Sequence, residues 1–339
     1  MSQEFAQSMY SDYFGLKGSP FTISPDPRYL YMSDQHREAL AHLVYGIRDS
    51  GSFVLLTGEV GTGKTTVCHS LLEQVPANTQ LAFILNPKLT ASELIATICD
   101  ELGADYPNAS ASLKILVDAL NQKLLANHSE GKRTIVVIDE AQNLSADVLE
   151  QLRLLTNLQT STDQLIKFIL LGQPELLKLL QQPQLRQLAQ RITARFHLTP
   201  LSFAETQQYI AHRLGVVGMY QTLFPASVMG QVFRLSRGIP RLINIICDRA
   251  LLGAYAERKN VVDKKTLMKA AAEIFGDVTD TPNPRAKVGK GLMIVVVIVL
   301  TALGLYWLDR TYQLRERLGW PGQAVIEAPA TPSASPLAE

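Results

Sequence analysis

Residues Gly58 to Thr65 read G-E-V-G-T-G-K-T, directly after the apolar run Phe53-Val54-Leu55-Leu56. No other stretch of the chain restricts the fold as much. An apolar strand must feed a glycine-rich turn, and a helix must start at its end. In that arrangement consecutive backbone N–H groups wrap phosphate oxygens. Lys64 neutralises the β/γ oxygens and the Thr65 hydroxyl holds Mg²⁺. The helix expected from Thr65 adds the partial positive charge of its N-terminus. Gly58, Glu59, Val60, Gly61, Thr62, Gly63, Lys64, Thr65 and Thr66 are therefore the candidate phosphate contacts. ATP with Mg²⁺ is the expected ligand pair.

The rest of the chain supplies the scaffold. Residues 1–49 form an opening segment in which Pro20, Pro25 and Pro27 break regular structure. Tyr29-Leu30-Tyr31 either closes over the nucleotide base or packs internally, and both readings stand. A helix is expected over 33–48, with Ser33 as N-cap. From residue 50 to about 200, short apolar runs alternate with helical periodicity. The strands are 53–57, 81–85, 134–138 and 166–171, with a fifth at 196–198. This pattern describes a parallel sheet covered on both faces. Residues 201–276 read as helices alone, a small second domain. The three cysteines, Cys68, Cys99 and Cys247, lie apart in apolar contexts, which argues against a disulfide framework or a zinc site.

A linker rich in Asp, Thr, Pro and Lys spans 277–290, and an uncharged apolar run covers 291–308. As a helix it is roughly 27 Å long, just enough for a bilayer core of about 30 Å. One transmembrane helix is expected there. A nucleotide-using domain places the N-terminal side in the cytoplasm, so residues 309–339 form a short, mostly disordered periplasmic tail. The net charge is +1, which advertises no broad nucleic-acid surface.

Four further places carry chemistry. Asp139 and Glu140 end the run Ile135-Val136-Val137-Ile138, where Asp139 suits the metal's coordination sphere and Glu140 suits activation of a water. A carboxylate beside the metal-binding one favours hydrolysis over transfer to a second substrate. Gln173 ends the fourth strand. If that strand lies between the other two, its amide approaches the γ-phosphate. Arg186, Arg191 and Arg195 follow at spacings expected to share one helical face. Arg195 is the first choice, and Arg191 the second, for a guanidinium delivered to a neighbouring subunit. The alternative is a solvated basic face. Arg241, in Gly238-Ile239-Pro240-Arg241, can reach back to the nucleotide from the helical domain.

Taken together, these motifs resemble the AAA+ branch of the P-loop NTPases, and within it the ExeA/GspA-type ATPases of type II secretion. The resemblance rests on F-G-L-x-x-x-P-F at residues 14–21, S-P-D-P-R-Y-L-Y from Ser24, G-E-V-G-T-G-K-T-T-V-C, V-I-D-E-A-Q, L-L-G-Q-P-E-L and R-G-I-P-R-L-I-N. It implies an α/β ATPase domain with a C-terminal helical lid. Lys64 and Thr65 take the Walker A role, Asp139 and Glu140 Walker B, Gln173 sensor 1 and Arg241 sensor 2. It also implies a homo-oligomer in the bacterial inner membrane. A GspB/ExeB-like partner would act with it to place the secretin, and peptidoglycan would be reached only indirectly. About 30 residues follow the apolar run, too few for an independent cell-wall-binding core. ATPases of MSHA-type pilus assembly would share every catalytic residue. A DNA-transposition-type regulator shares the D-E-A-Q motif, but nucleic acid is not the expected partner. A scaffold that binds ATP without turnover is a further alternative.

Overall fold

The computed structural model describes residues 3–24, 26–48, 51–85, 87–107, 112–160 and 163–276, with positions 300, 301, 303, 307 and 310. Five strands form one sheet: β1 (Phe53–Gly58), β2 (Thr79–Ile84), β3 (Arg133–Ile138), β4 (Ile166–Gly172) and β5 (Ile192–Leu198). All neighbours are parallel and the order is β2-β3-β4-β1-β5. Strand β4 thus lies between β3 and β1, the condition that brings Gln173 towards the phosphate loop.

Side chains alternate faces along a strand, and here each face enters a different core. Phe53, Leu55, Val136, Ile138, Phe168 and Leu170 pack on one side. Val54, Leu56, Ile135, Val137, Ile169 and Leu171 pack on the other. This double burial is why the strands read as unbroken apolar runs. The first face is covered by α4 (Ala91–Leu102), α5 (Leu113–Ser129) and α6 (Ala146–Leu155). The second carries α2 (Asp34–Arg48) and α3 (Lys64–Leu72). Ser33 caps α2 as expected, its Oγ accepting from the His36 N–H at 3.3 Å.

The arginine run departs from its expected shape. Helix α7 (Pro174–Leu180) is followed by a short helix, α8 (Arg186–Gln190), which Arg191 caps, and Arg195 lies in β5. The three residues do not share a helical face. The cause is visible in the residues: Ile192, Ala194 and Leu198 are buried while Thr193, Arg195 and His197 are exposed, a period-two pattern that only a strand satisfies.

Beyond β5 the lid consists of α9 (Phe203–Val216), α10 (Ala226–Ser236), α11 (Pro240–Ala256) and α12 (Lys264–Phe275). The opening segment divides between the lid's core and the core on the sheet's second face. Helix α1 (Gln3–Phe14) packs on α11, and Tyr10, Leu16, Phe21 and Tyr29 enter the lid's core. Tyr10 donates a hydrogen bond to Asp248 Oδ1 at 2.5 Å. Only α2 belongs to the sheet. Most of the apolar run 291–308 lies outside the described residues, and among those described no helix is long and apolar enough to cross a membrane.

Gly238 joins the lid's parts. Its φ is +74°, and an added Cβ would stand 2.0 Å from the Leu201 carbonyl oxygen. Its own carbonyl accepts from the Leu201 N–H at 2.9 Å. Gly238→Ala should therefore lower the unfolding free energy by at least about 2 kcal/mol, read from the midpoint of urea denaturation.

Candidate functional site

The phosphate loop runs from the end of β1 into α3, and helix formation begins one residue earlier than expected, at Lys64. Gly61 and Gly63 take φ of +80° and +104°, a region costly for any residue with a Cβ. Lys64 is buried, and its Nζ donates to the carbonyls of Gly58 at 2.9 Å and Glu59 at 3.0 Å. Burial pulls its pKa below the usual lysine value, while the carboxylates of Glu140, Asp139 and Glu59 oppose that shift. A phosphate would add negative charge where the ammonium most lacks it.

Next to the loop, the ends of β3 and β4 supply a connected chain of polar groups. Thr65 Oγ1 donates to Asp139 Oδ2 at 2.8 Å. Asp139 Oδ1 accepts from the Glu140 backbone N–H at 2.8 Å. Glu140 has φ of 53°, the left-handed region, which turns its carboxylate towards β4. Its Oε2 accepts from the amides of Gln142 and of Gln173, the latter at 3.0 Å. Gln142 also accepts from the Gln173 backbone N–H at 3.0 Å. Gln142 is the last residue of the D-E-A-Q motif. It ties the carboxylate at the end of β3 to the amide at the end of β4.

The donor set suits a hard cation. Thr65 and Asp139 offer oxygens side by side, and among the described residues no cluster of three His, Cys, Asp or Glu ligands exists. Magnesium takes such a site because it keeps waters and phosphate oxygens in its remaining positions.

A cavity of about 840 Å³ opens beside the phosphate loop. Lys64, Thr65, Thr66 and Glu140 line it, together with residues of the 22–31 stretch and of the lid. Tyr29, Leu30 and Tyr31 all line it. Tyr29 is also buried in the lid's core, so of the two readings internal packing is the one seen for that ring. Arg241 lies at the same wall. Its backbone N–H donates to the Gly61 carbonyl at 3.2 Å, and a Cβ on Gly61 would stand 2.5 Å from Arg241 Cβ. The lid therefore touches the loop directly.

Arg191 and Arg195 do not line this cavity. Arg191 serves its own subunit, donating to Thr156 Oγ1, to the Arg153 carbonyl at 3.3 Å and to Asn157 Oδ1 at 2.8 Å. Arg195 is exposed and donates to the Ala189 carbonyl. Of the two, Arg195 is the one presented on the surface.

The residue most clearly missed is His36. It is buried, and its Nε2 lies 3.0 Å from the Thr62 carbonyl while Nδ1 lies 2.6 Å from Ser33 Oγ. A carbonyl only accepts, so Nε2 carries the hydrogen and Nδ1 accepts from the serine hydroxyl. Gly63 presses on the same ring, with an added Cβ 2.7 Å from Nε2. Only its place one turn into a capped helix could have signalled this contact.

Residues 47–180 match the AAA domain family. Over 299 residues the chain is 54% identical to General secretion pathway protein A of Aeromonas hydrophila, covering 88% of this chain and 54% of that protein. The chain thus spans about half the length of that relative. Among solved structures, Cdc6p of Pyrobaculum aerophilum is similar at a TM-score of 0.62 and 18% identity, over 77% of this chain and 72% of that one. A chain of Drosophila ORC bound to DNA is similar at 0.61 and 18%, over 94% and 85%. At that identity the likeness shows the fold alone and nothing of ligand or partner; together with the AAA domain match it supports a P-loop α/β sheet of the AAA type.

Burial keeps the His36 pKa below its ordinary value, against the opposing hydrogen bond to Thr62. The folded protein then binds fewer protons than the unfolded chain below that ordinary value. The contribution is fully present above about pH 6.5 and is lost as pH falls further. His36→Gln should therefore lose less unfolding free energy than wild type between about pH 7.5 and 5, since the other histidines are common to both.

Proposed function

We propose that this chain, a relative of the general secretion pathway A proteins built on an AAA-type ATPase domain, binds ATP with Mg²⁺ in the cavity beside the phosphate loop and hydrolyses it. The observation that carries this reading is the unbroken run of polar contacts from Thr65 through Asp139, Glu140 and Gln142 to Gln173. It joins a cation-binding pair, a base and a water-orienting amide at the ends of three adjacent strands.

In the proposed reaction the loop N–H groups and Lys64 hold the β- and γ-phosphates. Thr65 and Asp139 would hold Mg²⁺, which would supply positive charge against the charge that grows in the transition state. Glu140 accepts the proton of the attacking water, and Gln173 orients that water through the bond it shares with the carboxylate. Arg241 carries the lid against Gly61, so its guanidinium senses the phosphates as sensor 2. The transition state gains a further positive charge when Arg195 of a neighbouring copy reaches the γ-phosphate. Turnover is then slow in the monomer and rises on self-assembly.

The wider role is drawn from the relative's name and from the sequence. We assign the chain to assembly of a type II secretion apparatus, placing the secretin with a GspB/ExeB-like partner. Residues 291–308 hold it in the inner membrane, with the ATPase domain cytoplasmic and the tail periplasmic. Peptidoglycan is contacted only through the partner.

Lys64→Ala should abolish ATP hydrolysis. Glu140→Gln should retain ATP binding and lower kcat about 10²-fold or more. Steady-state phosphate release together with equilibrium binding of ATP checks both. A Glu140→Gln protein with wild-type turnover would make the chain something other than a hydrolase using this carboxylate.

Arg195→Ala should lower kcat about 10³-fold in the assembled protein, with ATP binding intact. Full turnover in both Arg195→Ala and Arg191→Ala would remove the intersubunit step. Membrane fractionation, with protease protection of the C-terminal tail, tests the placement in the bilayer.

A further inference from the structure

One buried charge plays no part in the mechanism above. Arg213, on α9, is 6% exposed. Among the described residues none of its bonds goes to a carboxylate. Nε donates to the Pro20 carbonyl, Nη2 to the Thr22 carbonyl at 2.9 Å, and Nη1 to Tyr209 Oη at 3.0 Å. The guanidinium carbon lies 4.6 Å from the centre of the Tyr29 ring. Asn244 of α11 supports the cluster, accepting from Tyr209 Oη at 2.9 Å.

Burying a guanidinium is costly unless it is well paired, so the arrangement needs a reason. All the groups that Arg213 holds on the N-terminal side belong to one strip of chain, residues 20–31. None of its described residues pairs with a strand. It crosses from α1, seated in the lid's core, to α2, seated on the sheet. Its residues Thr22, Ser24, Leu30 and Tyr31 line the cavity, as does Arg213 itself. The fork geometry of a guanidinium lets one side chain fix two carbonyls and a ring at once, which an ammonium cannot do.

We propose that Arg213 is the positioning residue for the nucleoside end of the cavity: it clasps the 20–31 strip to the lid and so builds the wall against which the base rests. The inference deepens the ATP reading and rests on it. Lid and strip move as one body, and the loop's grip on phosphate does not depend on the clasp. Loss of the clasp therefore separates two affinities that wild type joins. Binding of the nucleoside portion fails while binding of the polyphosphate survives.

The test uses the full-length chain, wild type, Arg213→Gln and Arg213→Lys, with Mg²⁺ throughout. Trypsin reads the strip directly, because the Arg28 side chain is 77% exposed and cleavage after it requires local opening. Without nucleotide, Arg213→Gln should be cut after Arg28 about tenfold faster or more. Its affinity for ATP should fall about tenfold, while that for inorganic tripolyphosphate stays within about twofold of wild type. Arg213→Lys, which keeps the charge but not the fork, should fall between.

An unchanged cleavage rate would overturn the clasp. Faster cleavage with unchanged ATP affinity would overturn the link to the nucleoside wall. Equal losses for ATP and tripolyphosphate would overturn it too, by showing a general collapse of the site. Wild-type protein that binds neither ligand would overturn the nucleotide reading and this inference with it, whereas wild-type binding of both leaves any failure to the clasp alone.

Discussion

Two glycines in the phosphate loop hold this structure to its shape. At Gly61 the loop meets the first turn of α11, and at Gly63 it meets the imidazole of His36. A methyl group at either position would stand within 2.5 Å of Arg241 or 2.7 Å of His36. The positive φ values at both sites already exclude most side chains. The loop is thus narrow for two reasons that coincide. Its backbone must curl to present N–H groups, and its outer surface must admit one neighbour from the lid and one from α2. Sheet, lid and opening segment all converge on a few atoms of main chain.

Much of this was legible from the residues. The strands buried on both faces declared themselves as apolar runs, and their alternation with helices gave the sheet. The motif residues of the loop and of the ends of β3 and β4 came out adjacent, since a parallel sheet gathers the C-terminal ends of its strands at one edge. Thr65 and Asp139 are far apart in sequence and share a hydrogen bond. Ser33 takes its expected place at a helix start.

What escaped was of two kinds. The spacing of Arg186, Arg191 and Arg195 suggests a helical face. The apolar residues of the same run alternate instead, and burial, not charge, decides the form. The other losses are long-range. Nothing near Arg213 announces a buried guanidinium, because its partners Pro20 and Thr22 are main-chain carbonyls about 190 residues away and carbonyls leave no mark on composition. His36 reaches a carbonyl as well. Contacts from side chain to backbone are the ones a sequence conceals best.

The seating of Phe21 shows what the lid would be without its first residues. The ring meets Phe224 edge-on, 5.8 Å between centres, and Tyr10, Leu16 and Tyr29 share that interior. Four helices alone do not close it. A polypeptide cut to begin at Asp34 would retain every strand and every phosphate-binding atom, yet it would turn Phe224 and the aliphatic side chains around it out to water. Such a fragment would seek a substitute cover, and the nearest one in a concentrated preparation is the same surface on another fragment.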